Sequence, residues 1–217
     1  MVVLFDLNGT LTDPSPIGAP WDEPELGRRV LEGAVRGGMT DALVGAWRPF
    51  SEHVEAAIVA EVVRRGLDPA RRDDALQTAA SLPAWPDARP ALERLRAAGL
   101  PIAVLTNSGA DSGRATLDAA GLLDLVDPVI GVDAVDTFKP HPRTYAHALD
   151  VLERDAGDVL LVAAHGWDVA GARHAGLRTA WIARGETVLT PTVPEPDLRA
   201  ADLAELADRL VAASSPA

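Results

Sequence analysis

The first apolar run of the chain ends at an aspartate. Residues 2–5 read VVLF, and Asp6 follows them directly, with Asn8, Gly9 and Thr10 in the turn-forming stretch beyond. A carboxylate fixed at the end of a buried strand could act as a nucleophile, since a covalent ester divides a displacement into two easier steps. Thr10 could donate a hydrogen bond that sets its angle of attack. An aspartate that caps a turn is the alternative interpretation.

Other polar residues follow later apolar runs of the chain. They are Thr106 and Asn107 after the second run, His165 and Asp168 after a later one, and Lys139, the only lysine, between them. In an open parallel sheet, ligands bind beyond the carboxyl ends of the strands, near the point where the strand order reverses. We therefore expect these side chains to meet at one edge of the sheet.

The elements that must position these residues alternate between strands and helices. Apolar runs predict strands at 2–5, 102–105, 159–163 and 179–182, with a weaker one at 128–131. Helical periodicity appears at 90–98, 111–120, 144–152, 170–175 and 202–213. Alternation at this spacing favours a doubly wound, Rossmann-like α/β core with a parallel sheet. The Pro-rich stretch 190–196 is predicted to be a loop, and residues 214–217 a frayed end.

The interval 14–82 differs from the rest of the chain because it contains helical patterns and no strand-like run. The helical patterns cover 25–36, 40–47, 51–65 and 69–80. We interpret 14–82 as a helical cap domain inserted after the first strand, with the core formed by 1–13 and 83–217.

Composition limits the classes of function that fit. The chain has 217 residues, no cysteine and a formal net charge of −12, so we expect neither a nucleic acid nor an anionic membrane as partner. An anionic substrate would need a local cluster of positive groups. The absence of a signal peptide pattern and of a ~20-residue apolar span predicts a cytoplasmic protein.

Four motifs resemble those of the haloacid dehalogenase superfamily, in the order of that family. They are FDLNGTLTD from residue 5, LTNSG from residue 105, FKP from residue 138 and AAHGWDVAGARHAG from residue 163. The resemblance implies a Rossmann-like core, an aspartate nucleophile and a cap after the first motif. The superfamily contains phosphatases, phosphonate hydrolases and dehalogenases, and the fold alone does not choose among them.

Two departures favour the dehalogenase branch. Phosphatases of the superfamily carry a second aspartate where this chain has Asn8, and an amide cannot protonate a leaving group near neutral pH. The usual acidic position of the fourth motif is Ala164, which would leave Asp6 and Asp168 as a poor Mg²⁺ site. We therefore expect no metal and no cofactor. The fourth motif is most similar to that of the 2-haloacid dehalogenases.

The resemblance implies a role for each matching position. Asp6 is the nucleophile, Thr10 orients it, Thr106 and Asn107 receive the substrate carboxylate, Lys139 pairs with Asp6, Tyr145 lies near that lysine, and Asp168 holds Lys139 and the hydrolytic water. The family also places a halide-binding arginine on the first cap helix.

Several assignments depend on weaker signals. Arg28 and Arg29 are both candidates for the halide-binding arginine, with a preference for Arg29, while Phe50 and Trp167 are expected to form pocket walls. Asn8 and His165 replace residues usual in the 2-haloacid dehalogenases. Asn8 could donate a hydrogen bond to the halide or the substrate, and His165 could activate the hydrolytic water.

The leading hypothesis is metal-independent hydrolysis of short 2-haloacids through an ester on Asp6. The expected partner is a small haloacid, and the resemblance implies a homodimer. Two alternatives stay open: a phosphatase with unusual metal ligation, and a catalytically silent protein that binds a small carboxylate.

Overall fold

The computed structural model describes residues 1–214 and contains one six-stranded parallel sheet. Its strands are β1 (Val2–Phe5), β2 (Ile102–Thr106), β3 (Val129–Gly131), β4 (Val159–Ala163), β5 (Arg178–Ile182) and β6 (Leu198–Ala200). The strand order is β3-β2-β1-β4-β5-β6, and every neighbouring pair is parallel. This is the Rossmann order, which confirms the predicted fold class.

The five predicted strands are present with bounds that differ by at most one residue. The sixth, β6, was not predicted. It has three residues, one of them an exposed arginine, and it forms the edge of the sheet beside β5. Because only one face of this short edge strand is covered, its sequence lacks the apolar run that identified the inner strands.

The core lies on both faces of the sheet, because successive side chains of each strand point to opposite faces. Val3 and Phe5 of β1 belong to one apolar cluster, and Val2 and Leu4 to the other. The core helices are α4 (Ala88–Ala97), α5 (Ala110–Ala119), α6 (Pro142–Leu152), α7 (Gly166–His174) and α8 (Leu203–Ser214). Residues 215–217 of the predicted frayed end lie outside the described residues.

The segment 14–82 forms α1 (Pro24–Val44), α2 (Phe50–Arg65) and α3 (Arg72–Ala79), with short 3₁₀ turns at Ser15–Trp21 and Pro69–Arg71. The prediction of two helices between residues 25 and 47 is wrong, since α1 is continuous. Gly37, Gly38 and Met39 separate the two patterns in the sequence, and glycine has low helix propensity. In the structure these glycines are contact points: a Cβ on Gly38 would lie 2.9 Å from the ring of Phe138.

Within the described residues, no helix is long and apolar enough to cross a membrane.

Candidate active site

The site lies at the carboxyl ends of β1, β2 and β4. β1 stands beside β4 at the point where the strand order reverses, which is where ligands bind in open α/β sheets. Asp6 follows β1 directly and its backbone N–H donates to the carbonyl of Val162 in β4 at 3.0 Å. The end of one central strand thus places a carboxylate against its neighbour.

Both carboxylate oxygens of Asp6 are held. Thr10 Oγ1 donates to Oδ2 at 2.7 Å, and Lys139 Nζ donates to Oδ1 at 2.7 Å. Thr10 Oγ1 in turn accepts from the backbone N–H of Ala164 at 3.0 Å, which ties it to the end of β4. Asp6 is 5% exposed, so its orientation is fixed by buried contacts.

Lys139 is fully buried and uses all three of its ammonium hydrogens. Besides Asp6, Nζ donates to Asp168 Oδ2 at 2.7 Å and to the carbonyl of Leu105, in β2, at 3.0 Å. Its backbone N–H donates to Asn107 Oδ1 at 2.8 Å. One ammonium therefore joins two carboxylates and two segments that follow neighbouring strands.

Asp168 faces this cluster from the first turn of α7. Its Oδ1 accepts from the hydroxyl of Tyr145 at 2.6 Å, while Oδ2 accepts from Lys139. Tyr145 and Asp168 are both fully buried. Because each oxygen of Asp168 has a donor, this carboxylate positions Lys139 and does not reach the cavity.

The pKa values follow from burial and from the shared charges. Burial raises the pKa of Asp6, but the charge of Lys139, the neighbouring His165 ring and the hydrogen bonds from Lys139 and Thr10 lower it by more, to below 3.8. Burial lowers the pKa of Lys139, which Asp168 and Asp6 raise to above 10.5. Burial also raises the pKa of Asp168, only partly offset by Lys139. The site thus holds an ionised Asp6 beside a protonated Lys139.

Burial and the neighbouring Asp168 carboxylate raise the pKa of Tyr145 well above 10.0. The Tyr145 hydroxyl therefore stays protonated and remains a donor to Asp168.

The donor set does not fit the Mg²⁺ that phosphatases of the superfamily use. Among residues 1–214, no group of three or more His, Cys, Asp or Glu side chains is placed to hold a metal ion. The two carboxylates that converge, Asp6 and Asp168, are bridged by the Lys139 ammonium. The second acid is replaced by Asn8, whose amide is a weak substitute for a carboxylate as a ligand of a hard cation.

A small cavity of about 10 Å³ adjoins Asp6, with room for about one water molecule. It is lined by Asp6, Asn8, Leu31, Val35, Phe50, Thr106, Asn107, His165 and Trp167. The three lining residues from the cap, in α1 and at the start of α2, are all apolar. The core thus provides the polar groups, and the cap covers them with hydrocarbon and an aromatic ring.

Two amides in this cavity have their oxygens already engaged. Asn8 Oδ1 accepts from Thr12 Oγ1 at 3.2 Å, and Asn107 Oδ1 accepts from the Lys139 backbone at 2.8 Å. Each side chain keeps its NH₂ group as a donor. Thr106 Oγ1 accepts from the backbone N–H of Ser108 at 3.1 Å. The cavity is therefore suited to an acceptor or an anion.

His165 stacks on Trp167, with ring centroids 5.4 Å apart and planes inclined by 12°. Its Nε2 lies 3.0 Å from the carbonyl oxygen of Asn8 and 3.7 Å from Asp6 Oδ2. Gly9 has φ 86°, a conformation that favours glycine. A Cβ at this position would also lie 2.7 Å from His165 Nε2. Motifs one and four are in direct contact at this point.

Most of the residues predicted for the site are brought together, and the cap arginines are not. Asp6, Asn8, Phe50, Thr106, Asn107, His165 and Trp167 line the small cavity, while Thr10, Lys139, Tyr145 and Asp168 support it from behind. Arg29 is exposed on α1 and lines none of the cavities described here. Arg28 lies on an outer cleft of about 670 Å³ and pairs with Glu25 and Glu32.

Sequence reasoning missed Leu31 and Val35 of the cap and the backbone carbonyl of Leu105. Leu31 and Val35 are four residues apart, so they share one face of α1. That face also contains the buried residues Leu26, Val30 and Ala34. The apolar periodicity could therefore have placed Leu31 and Val35 toward the core.

Fold and site together define an α/β protein with an ion-paired aspartate at the switch point of a Rossmann-like sheet. The chain belongs to the haloacid dehalogenase-like hydrolases, whose family model matches residues 1–176. It is 32% identical to an (S)-2-haloacid dehalogenase from Pseudomonas sp. (strain YL) over 206 residues, which cover 90% of this chain and 88% of that protein. A phosphatase from Mycobacterium tuberculosis is 34% identical over 196 residues, with 85% and 88% covered.

A solved relative shares the whole fold. The structure of L-2-haloacid dehalogenase from Xanthobacter autotrophicus with chloropropionic acid covalently bound matches with a TM-score of 0.87 and 28% identity. The match covers 99% of this chain and 100% of that chain. The helices of the segment 14–82 and the sheet therefore both lie within the matched length.

Proposed function

We propose that the protein is a hydrolytic dehalogenase of short 2-haloacids, with Asp6 as nucleophile. The observation that carries the proposal is the state of Asp6. It is ionised, fixed at both oxygens by Thr10 and Lys139, and placed at a cavity whose other polar groups are mainly donors. Relatives named as 2-haloacid dehalogenases along most of the chain support the same reaction.

In the first step, an Asp6 carboxylate oxygen attacks the carbon that bears the halogen. The new C–O bond forms as the carbon–halogen bond breaks, and the halide leaves with the bonding electron pair. This step needs an aligned carboxylate and no acid, because a halide is a stable anion. Thr10 and Lys139 supply the alignment, and the configuration at the substrate carbon is inverted.

In the second step, water attacks the carbonyl carbon of the Asp6 ester. The bond between that carbon and the substrate oxygen breaks, one proton of the water passes to the departing hydroxy acid, and the other is released to solvent. Lys139 Nζ, 2.7 Å from Oδ1 in the resting site, stabilises the charge that develops on that oxygen. Asp6 returns to its carboxylate form.

In this proposal the NH₂ group of Asn107 donates to the substrate carboxylate and that of Asn8 to the halogen. The apolar cap residues Leu31, Val35 and Phe50 would enclose the remainder. The small cavity adjoins the outer cleft of about 670 Å³, which shares Leu31, Val35, His165 and Trp167 with it. We propose that the substrate enters from this cleft.

Phosphate ester hydrolysis is the second candidate, favoured by the Mycobacterium tuberculosis relative. Two observations disfavour phosphate ester hydrolysis. Asn8 cannot donate a proton as an acid, and Lys139 bridges the two carboxylates of the site.

The deciding experiment measures halide release with EDTA present. Chloroacetate, fluoroacetate and the two enantiomers of 2-chloropropionate would be compared with p-nitrophenyl phosphate in Mg²⁺. We expect halide release that EDTA leaves unchanged, and no phosphate release. Phosphate release that depends on Mg²⁺ would support the second candidate, and activity in neither assay would favour a protein that only binds carboxylates.

A further inference from the structure

The buried charges around Asp6 do not balance. Asp6 and Asp168 are ionised acceptors and Lys139 is the one cation among them, so the cluster has a net charge of −1. A 2-haloacid is itself an anion at neutral pH. Bringing it beside this cluster at low dielectric is costly unless a further positive charge receives it. This reasoning rests on the proposed function.

The cavity offers one group that can supply such a charge. Of its nine lining residues, all of them described in the structure, only Asp6 and His165 are ionisable. The hydrogens of the Lys139 ammonium are already used. The cap contributes no charge, since its lining residues are Leu31, Val35 and Phe50.

The contacts of His165 suit a cation. Nε2 lies 3.0 Å from the carbonyl oxygen of Asn8, which accepts only, so this nitrogen carries a hydrogen. Nδ1 is then the nitrogen that gains or loses a proton. The ring is held flat against Trp167, whose electron-rich face favours a positive charge. Its side chain is 19% exposed, so an entering ligand can reach it.

We propose that His165, as an imidazolium, is the cation that receives the carboxylate of the substrate. The charged groups of the core around it are Asp6, Asp168 and Lys139, and Glu186 lies beside the start of α7. The outer cleft adds Arg28, Arg36, Glu25, Glu32 and Arg184. Arg28 is neutralised by Glu25 and Glu32, Arg184 pairs with Asp87, and Arg36 is exposed and does not line the small cavity. Asp6 is the closest of the charges that favour the protonated ring.

The proposed role predicts a pH dependence opposite in sign to that of a general base. A receiving cation must be protonated, so kcat/KM falls as pH rises from about 6 to 9. A base that activates water must be neutral, so kcat rises over the same range. The hydrogen bond of Nε2 to Asn8 limits the base role to Nδ1.

The first test compares kcat/KM for chloroacetate from pH 5.5 to 9 in the wild type, His165→Gln and His174→Gln. His174 is an exposed residue of the same helix and serves as the control. We expect kcat/KM of the wild type and the control to fall by about tenfold per pH unit at the alkaline end of this range. We expect His165→Gln to be at least about tenfold slower at pH 6 and insensitive to pH in that range. A wild-type profile that rises with pH would overturn the proposal.

The second test needs no turnover. NMR would measure the chemical shifts of the His165 ring between pH 6 and 8. The same titrations would give the dissociation constant of sodium glycolate, the salt of a short 2-hydroxy acid. We expect binding to weaken by up to about tenfold per pH unit as pH rises, and saturation with glycolate to keep the His165 ring protonated to higher pH. A dissociation constant for glycolate that changes neither with pH nor in His165→Gln would overturn the assignment. If no halide is released but glycolate follows this pattern, the reaction fails and the role of His165 stands.

Discussion

At the scale of single residues, the site depends on one ammonium shared by two carboxylates. Lys139 reaches Asp6 and Asp168 at 2.7 Å each, with its side chain fully buried. Buried charges of this kind are tolerated only when they are paired and hydrogen-bonded. The planar guanidinium of an arginine could not replace this compact donor without new space.

Replacing Lys139 by methionine keeps the apolar stem and removes the charge. Asp6 and Asp168 would then face each other without compensation, so we expect a loss of about 3–5 kcal/mol in the free energy of unfolding. The loss should shrink as pH falls toward the pKa of the two carboxyl groups, because protonation removes the repulsion. Urea unfolding at pH 5 and pH 8 measures both effects. Equal stability of variant and wild type at pH 8 would contradict the assigned ion pairs.

The pKa of Asp6 determines the pH below which the rate of halide release falls, because only the ionised carboxylate attacks. Because the folded pKa lies below 3.8, the stabilisation from this carboxylate is present above the unfolded pKa and is lost as pH falls through the folded pKa. For Lys139, whose pKa is raised, it is present below 10.5 and is lost as pH rises through the folded pKa.

We therefore expect the single-turnover rate of halide release at saturating chloroacetate to stay flat from about pH 4.5 to 6. Rapid-quench measurements would check this. A rate that falls in acid with an apparent pKa above 5 would contradict an Asp6 paired with Lys139.

At the scale of elements, the inner strands were predictable because they are buried on both faces and read as continuous apolar runs. The edge strand β6 was not, since it covers little apolar surface. The continuity of α1 also escaped prediction. Gly37 and Gly38 resemble a helix break in the sequence, whereas their role is close packing against His53 and Phe138, which only the fold brings near.

The same distinction applies to the site. Polar residues at strand ends, such as Asp6 and Asn107, were identifiable because the carboxyl ends of parallel strands lie at the same edge of the sheet, independently of the loop conformations. The cap side was not, because helix periodicity defines a buried face but not what that face covers. Arg29 was preferred on the resemblance, although it lies off the face formed by Leu26, Val30 and Leu31.

The apolar face of α1 predicts how substrate length is limited. Leu31→Ala should enlarge the cavity at the point where the side chain of a longer 2-haloacid would lie. We expect kcat/KM for 2-chlorobutanoate relative to chloroacetate to rise about tenfold, as the removal of a few methylene-sized groups would allow. Leu43→Ala on the same helix is the control, since Leu43 is 88% exposed. An unchanged ratio in Leu31→Ala would show that the cap does not set substrate length.

At the scale of the whole molecule, the cap and the core enclose the site together. Phe138, which precedes Lys139, stacks on Trp47 at 4.7 Å and also contacts Phe50 and His53 of α2. The residue next to the central ammonium therefore forms part of the contact with the cap. The homodimer and the cytoplasmic location stay predictions.

In the proposed reaction, Asp6 is alkylated by the substrate and then restored by water. The most direct test is a single turnover of chloroacetate with enzyme in excess in ¹⁸O-water, followed by mass spectrometry of the peptide that contains Asp6. Asp118→Asn, at an exposed position of α5, serves as the active control, and Asp6→Asn should release no halide. We predict one ¹⁸O atom in Asp6 and unlabelled glycolate. Labelled glycolate with an unlabelled Asp6 would mean direct attack by water and would contradict the account.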